Sequence, residues 1–124
     1  MSPRASRSGS APVPARRAAG RAQLDEFAEQ FLARPDVDWG AMFGSVGLRV
    51  RGKVFALADF DGNLMVKIPA DRVAELSAAG AVAPVEMAGR TMREWVTMPI
   101  EAGAAAWRDL TAEAHAYVDR ITPR

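Results

Sequence analysis

Six cations sit on or beside strand-like and turn-like stretches: Arg49, Arg51, Lys53, Lys67, Arg90 and Arg93. Arg49 and Arg51 alternate with Leu48 and Val50, so both project from one face of a strand whose other face is apolar. Lys67 projects opposite the apolar set Leu64, Val66 and Ile68 of its own run. Arg90 follows a glycine turn and, with Arg93, leads into Trp95. Cations so placed can keep strand edges from pairing with other chains. They can also form a patch on the outer sheet face or its edge that binds an anionic partner, with an aromatic side chain as anchor. The candidate partner-binding residues are Arg49, Arg51, Lys67, Arg90, Arg93 and Trp95.

Other chemistry finds little support. The chain has no cysteine, which excludes disulfides, thiolate catalysis and Cys-based zinc or iron–sulfur sites. Its one histidine, His115, falls on the flank of a helical stripe and reads as a solvated surface residue. Ser45 in GSVG makes no nucleophile elbow. GAMFGSVG is neither a dinucleotide fingerprint nor a P-loop, so Gly44 and Gly47 read as bend glycines. The pairs Asp59 and Asp61, or Glu86 and Glu94, are explained as turn and solvated strand positions. We assign no catalytic, cofactor-binding or metal-binding residue and expect a protein that is not an enzyme.

The charge is unevenly distributed. Residues 1–21 carry five arginines and no acid; the remaining 103 residues carry eleven cations against fifteen acids. The folded part is thus mildly acidic, which disfavours strong nonspecific binding of nucleic acid by the core. Residues 1–21 have almost no large apolar side chain to offset the entropy of ordering and read as a disordered basic tail. The tail lacks the apolar centre of a secretory signal. No run of about 18 apolar residues offers a membrane span. A cytoplasmic location is expected. Residues 22–121 read as a single domain with one modest core.

The elements that must carry these residues are legible from periodicity. Leu24, Phe27, Ala28, Phe31 and Leu32 make one apolar stripe of a helix over 22–34, stopped by Pro35. Trp39–Ile68 reads as an antiparallel meander, with Val46–Val50 half-buried and Lys53–Phe60 apolar on both faces. Asp61-Gly62 is the favoured pair for a two-residue hairpin turn. Pro69 opens a second helix that Gly80 ends. Ala81–Val85 is a connector or short strand, and Met92–Met98 is the last strand, with either Trp95 or the Glu94–Met set facing inward. Trp107, Leu110, Ala114, Tyr117, Val118 and Ile121 form the stripe of a long closing helix. The fold class is α+β: an antiparallel meander sheet of about four to six strands with N-terminal, mid-chain and C-terminal helices packed on it.

Met42-Phe43-Gly44, Gly52-Lys53-Val54-Phe55-Ala56-Leu57, Val66-Lys67-Ile68-Pro69 and Gly89-Arg90-Thr91-Met92-Arg93-Glu94-Trp95-Val96 follow one another in an order and spacing that resembles the TfoX/Sxy N-terminal-domain family. The resemblance spans about Leu24 to Val118, and the chain is more distantly similar to MmcQ/YjbR-type domains. It implies an antiparallel sheet flanked by helices and a link to the regulation of natural competence genes. No catalytic residue carries over. The expectation is a regulatory domain that binds a protein or nucleic-acid partner. The alternative is a small-molecule-binding or enzymatic domain with a pocket between the sheet and the closing helix. A homodimer with paired strand edges is a third arrangement.

Overall fold

A computed structural model describes residues 12–42 and 44–124. The elements follow the order α1 (Val13–Leu32), β1 (Val37–Met42), β2 (Ser45–Val50), β3 (Lys53–Ala58), β4 (Leu64–Lys67), α2 (Ala70–Ala78), β5 (Ala83–Met87), β6 (Arg90–Met98) and α3 (Ala104–Ile121). The six strands make one antiparallel sheet in the order β1-β2-β3-β4-β6-β5. The architecture is the expected α+β one. The order departs from a simple meander at α2, which carries the chain past β6 so that β5 becomes the outer strand. Pro84, which has no N–H to give to a ladder, lies on that edge strand.

Turn chemistry explains the hairpins. Val50 pairs with Lys53 and Met87 with Arg90, and the two residues between each pair all hold positive φ: Arg51 47° and Gly52 85°, Ala88 52° and Gly89 76°. This is the backbone that matches the right-handed twist of two-residue hairpins. Asp61-Gly62 is not such a turn. Its strands end at Ala58 and Leu64, leaving a loop of five residues, 59–63. The Asp59 carboxylate organises this loop by accepting the N–H groups of Asp61 and Asn63, both at 2.9 Å. Burial pushes the Asp59 carboxyl above its ordinary value in spite of those donors. Here a side chain does what a second positive φ would otherwise have to do.

All three helices contribute to the main core. Leu24, Phe27, Ala28 and Phe31 of α1 are buried on the predicted stripe, and Trp107, Leu110, Ala114 and Val118 of α3 on theirs. The Trp107 indole donates to the Pro99 carbonyl at 3.0 Å. At the end of α2, Gly80 (φ 78°) donates to Ser77 and Ala81 to Leu76, which satisfies two last-turn carbonyls. A bulge decides how β3 faces the core. Ala56 stands opposite Leu48 and Val54 opposite Arg49, so Phe55 has no partner on β2. Phe55 and Ala56 both join the main core, whereas Val54 and Leu57 face the other way. That is why this strand is apolar on both faces.

The other face holds a second cluster built from strands alone: Val54, Leu57, Met65, Val85 and Trp95. Met42 from one edge strand and Met87 from the other both pack against it. Trp95 belongs to this cluster while Val96 and Met98 belong to the main core; both faces of β6 are used.

Helix α1 begins at Val13, nine positions before the expected start at Ala22. Residues 13–21 are therefore helical rather than tail; Pro12 caps that helix, and residues 1–11 of the expected tail lie outside the described residues. The physical reason is tertiary. Arg17 stacks over Phe60 and Arg21 over Trp39, each 4.3 Å from the ring centre, and Arg16 lies 3.5 Å from Asp61. Arginine stems and rings supply the contact that aliphatic side chains would supply elsewhere.

Two buried hydroxyl oxygens, Ser77 Oγ and Thr111 Oγ1, lack a partner among the described residues. Thr111 is 0 % exposed and its Oγ1 meets no hydrogen-bond partner among the described residues. We expect Thr111→Val, which keeps the shape and removes the hydroxyl, to stabilise the protein by about 1 kcal/mol in urea denaturation. A loss of stability would show that the hydroxyl is satisfied in solution.

Candidate functional site

The structure divides the predicted cations into two groups. Arg49 forms a two-pronged pair with Asp38, Nε to Oδ1 at 2.6 Å and Nη2 to Oδ2 at 3.1 Å, and this bond holds the Asp38 carboxyl below its usual range. Arg51 turns back onto the end of α3. It donates to Asp119 Oδ1 at 2.8 Å and to the carbonyls of Asp119, Thr122 and Pro123 at 2.9–3.1 Å. Its side chain is 13 % exposed. Neither arginine joins the others in a shared patch; both are held by acids or carbonyls of the fold.

Lys67, Arg90 and Arg93 do come together. They line one open groove of about 780 Å³ formed by the end of β4, the start of α2 and the tip of the β5–β6 hairpin. A second bulge makes the groove. Pro84 pairs with Val96 and Val85 with Met92, so Arg93, Glu94 and Trp95 stand where β5 has no counterpart. The bent strand turns Arg93 and Glu94 toward the groove, and Met87 and Met92 supply apolar wall. Trp95 is 6 % exposed and contributes floor rather than the projecting anchor expected of it; Met65 is equally buried.

The charges in the groove are not all neutralised. Glu94 Oε1 lies 3.7 Å from Lys67 Nζ, and Glu94 Oε2 accepts the Tyr117 phenol, whose own ionisation that bond pushes up. Arg90 and Arg93 are exposed and have no ion pair or hydrogen bond among the described residues. Met87 has no role in the sequence reading, Met92 enters it as a strand residue, Glu94 as a solvated strand position and Tyr117 as part of the apolar stripe of the closing helix. The structure brings all four to the groove or its rim. Met87 and Met92 stand on either side of Ala88–Thr91, a spacing that has no meaning until the bulge is known.

A family model described as the TfoX N-terminal domain matches residues 29–118. The chain belongs to that family. No curated protein and no solved structure matches it. Within the TfoX domain the resembling motifs meet across the sheet, since Lys67 of one pairs in register with Trp95 of another. The matched region includes the whole groove; residues 13–28 of α1 precede it.

Two other places in the TfoX domain bear on chemistry. A smaller depression of about 420 Å³ lies between the sheet and the end of α3, lined by Val54, Trp95, Val118 and Ile121 with Lys67, and no carboxylate is among its described walls. No group of three or more His, Asp or Glu among the described residues is placed to hold a metal ion, and no described helix is long and apolar enough to cross a membrane.

His115 is not the solvated residue its helical position suggests. Its ring meets Phe55 edge-on at 5.2 Å and lies 6.3 Å from Phe31, and Arg34 donates to its Nδ1 at 2.9 Å. The proton of the neutral ring is therefore on Nε2. Burial first, then the Arg34 and Arg51 charges, lower its pKa below the usual 6.5; Asp119 opposes them. In this pH range the unfolded chain binds the proton more readily than the folded one. Stability from this group is complete above pH 6.5 and falls as pH drops through the lowered folded value. We expect the stability advantage of the wild type over His115→Gln, measured by urea denaturation, to shrink from pH 7.5 to pH 5. A pH-independent difference would refute this assignment.

Proposed function

We propose that this TfoX-type domain is a non-enzymatic, cytoplasmic regulatory protein, related to competence or transcription control, that acts by binding a protein or nucleic-acid partner in the Lys67–Arg90–Arg93 groove. One observation carries the reading: Arg90 and Arg93 stand exposed and unpaired among the described residues at the groove, whereas Arg49, Arg51 and Lys67 have acidic partners within the fold. Exposed cations without internal partners are free to meet a ligand at no cost in folding interactions. The family and the motifs around the groove support a regulatory role over a catalytic one.

The test is site-specific photocrosslinking in native cells. A crosslinking residue in place of Thr91, exposed in the groove, should capture a discrete partner, and one in place of Arg108, exposed on α3, should not. The Thr91 crosslink should fall at least tenfold with Arg90→Glu plus Arg93→Glu. Equal capture from both positions, or none from Thr91, would refute the reading.

A further inference from the structure

If the groove is a binding surface, its chemistry also selects the class of partner, and this inference rests on that reading. A single-stranded nucleic acid needs faces on which bases stack and a line of cations along its backbone. Trp95, the one aromatic residue among the described residues lining the groove, is 6 % exposed and offers no face. Two of the three cations are unengaged, and Glu94 stands among them. Residues 12–124 carry fourteen cations against fifteen acids, a near balance that gives a polyanion no general attraction to the domain.

What the groove offers is mixed. Its two unpaired cations are both arginines, whose forked guanidinium matches a carboxylate with two parallel bonds. Beside them lie Met87 and Met92, half-buried against the strand-built cluster. Methionine side chains are flexible and polarizable and adapt to varied apolar shapes. Cation, thioether and apolar floor in one depression are complementary to a segment that alternates acids with apolar residues. A partner carrying only charge would leave the methionine wall unused.

We propose that the groove binds an acidic, apolar-anchored segment of a partner protein, with its carboxylates on Arg90 and Arg93 and an apolar side chain against Met87 and Met92.

Two-dimensional NMR titrations of the full chain test this, because they register weak contacts residue by residue. The probes are a short Glu/Leu peptide, the same peptide with Lys for Glu, the same peptide with Ser for Leu, and a single-stranded DNA oligonucleotide. The Glu/Leu peptide should shift resonances of residues 87–95, and Arg90→Glu plus Arg93→Glu should weaken it tenfold or more. The Lys peptide should leave those resonances unmoved, and the Ser peptide should bind several-fold more weakly. Glu/Leu binding that is absent, or unaffected by the double variant, overturns the proposal. DNA that shifts 87–95 in an Arg90- and Arg93-dependent way while the Glu/Leu peptide does not would overturn it too, yet leave the groove as a binding surface. Failure of every probe together with failure of the Thr91 crosslink would remove both.

Discussion

Replacing Arg51 with alanine will cost about 2–4 kcal/mol of folding stability, the range for breaking a largely buried, charge-bonded contact. The Arg51 guanidinium donates to the Asp119 carboxylate and to three carbonyls at the end of α3, where the helix has no intrahelical donors left to offer. It also places a positive charge against the negative end of the helix dipole. A second contribution runs the other way. Arg51 holds φ at 47°, a conformation that costs a residue with a Cβ about 1–2 kcal/mol. Arg51→Gly recovers part of that cost and loses the same bonds. We therefore expect the order wild type, glycine variant, alanine variant in urea denaturation, with the two variants separated by about 1 kcal/mol. Amides of Asp119 to Thr122 should exchange faster in both. An alanine variant within about 0.5 kcal/mol of wild type, the usual range for an unremarkable surface change, would refute the role assigned to Arg51.

The second large effect reverses the sign that local propensity gives. Gly20 lies in the interior of α1, where Gly→Ala ordinarily stabilises a helix by about 1 kcal/mol. Here a Cβ on Gly20 would lie 2.5 Å from the Gly62 carbonyl oxygen and 2.6 Å from Gly62 Cα. Gly62 is equally constrained, with φ at 82° and Arg16 O only 2.2 Å from where its own Cβ would be. Both partners are backbone, so neither can swing aside as a side chain would. We expect Gly20→Ala to destabilise by about 2 kcal/mol net, in the range for overpacking. Where the first turns of α1 detach instead, the loss will appear as fast hydrogen exchange over residues 13–21. Unchanged exchange with an unchanged or raised denaturation midpoint would show that α1 does not lie on the 59–63 loop.

Some of this molecule is written locally. Most of each stripe of α1 and α3 is legible because each spans several turns and buries one face on a single large surface; Leu32 and Tyr117 are half-buried, and Ile121 in the last turn of α3 is exposed. The end of α2 follows from Gly80, whose positive φ is a property of that residue. Strand identity in β2, β3 and β4 follows from short apolar runs between turn residues. Other features depend on two segments meeting. The two-residue turns fall at Arg51-Gly52 and Ala88-Gly89, while Asp61-Gly62 is drawn into a longer loop because Asp59 captures its N–H groups. Phe55 faces the main core only because β2 is one residue short opposite it.

What the amino-acid order determined alone is the three helices, the strands β2, β3, β4 and β6, the single-layer arrangement of helices on an antiparallel sheet, and the kinship with TfoX N-terminal domains. Those rest on periodicity and turn propensity, which act over a few residues. The strands β1 and β5 and the first turns of α1 were not legible in it. Tertiary structure decided where the charges are used. Arg49 and Arg51 look like Arg90 and Arg93 in sequence, each a cation beside a strand. Whether each is neutralised depends on Asp38, Asp119 or nothing at all lying within about 3 Å, and Coulomb attraction follows distance in space rather than along the chain. The first turns of α1 are ordered for the same reason, by arginines that find rings and an acid only once the sheet has formed.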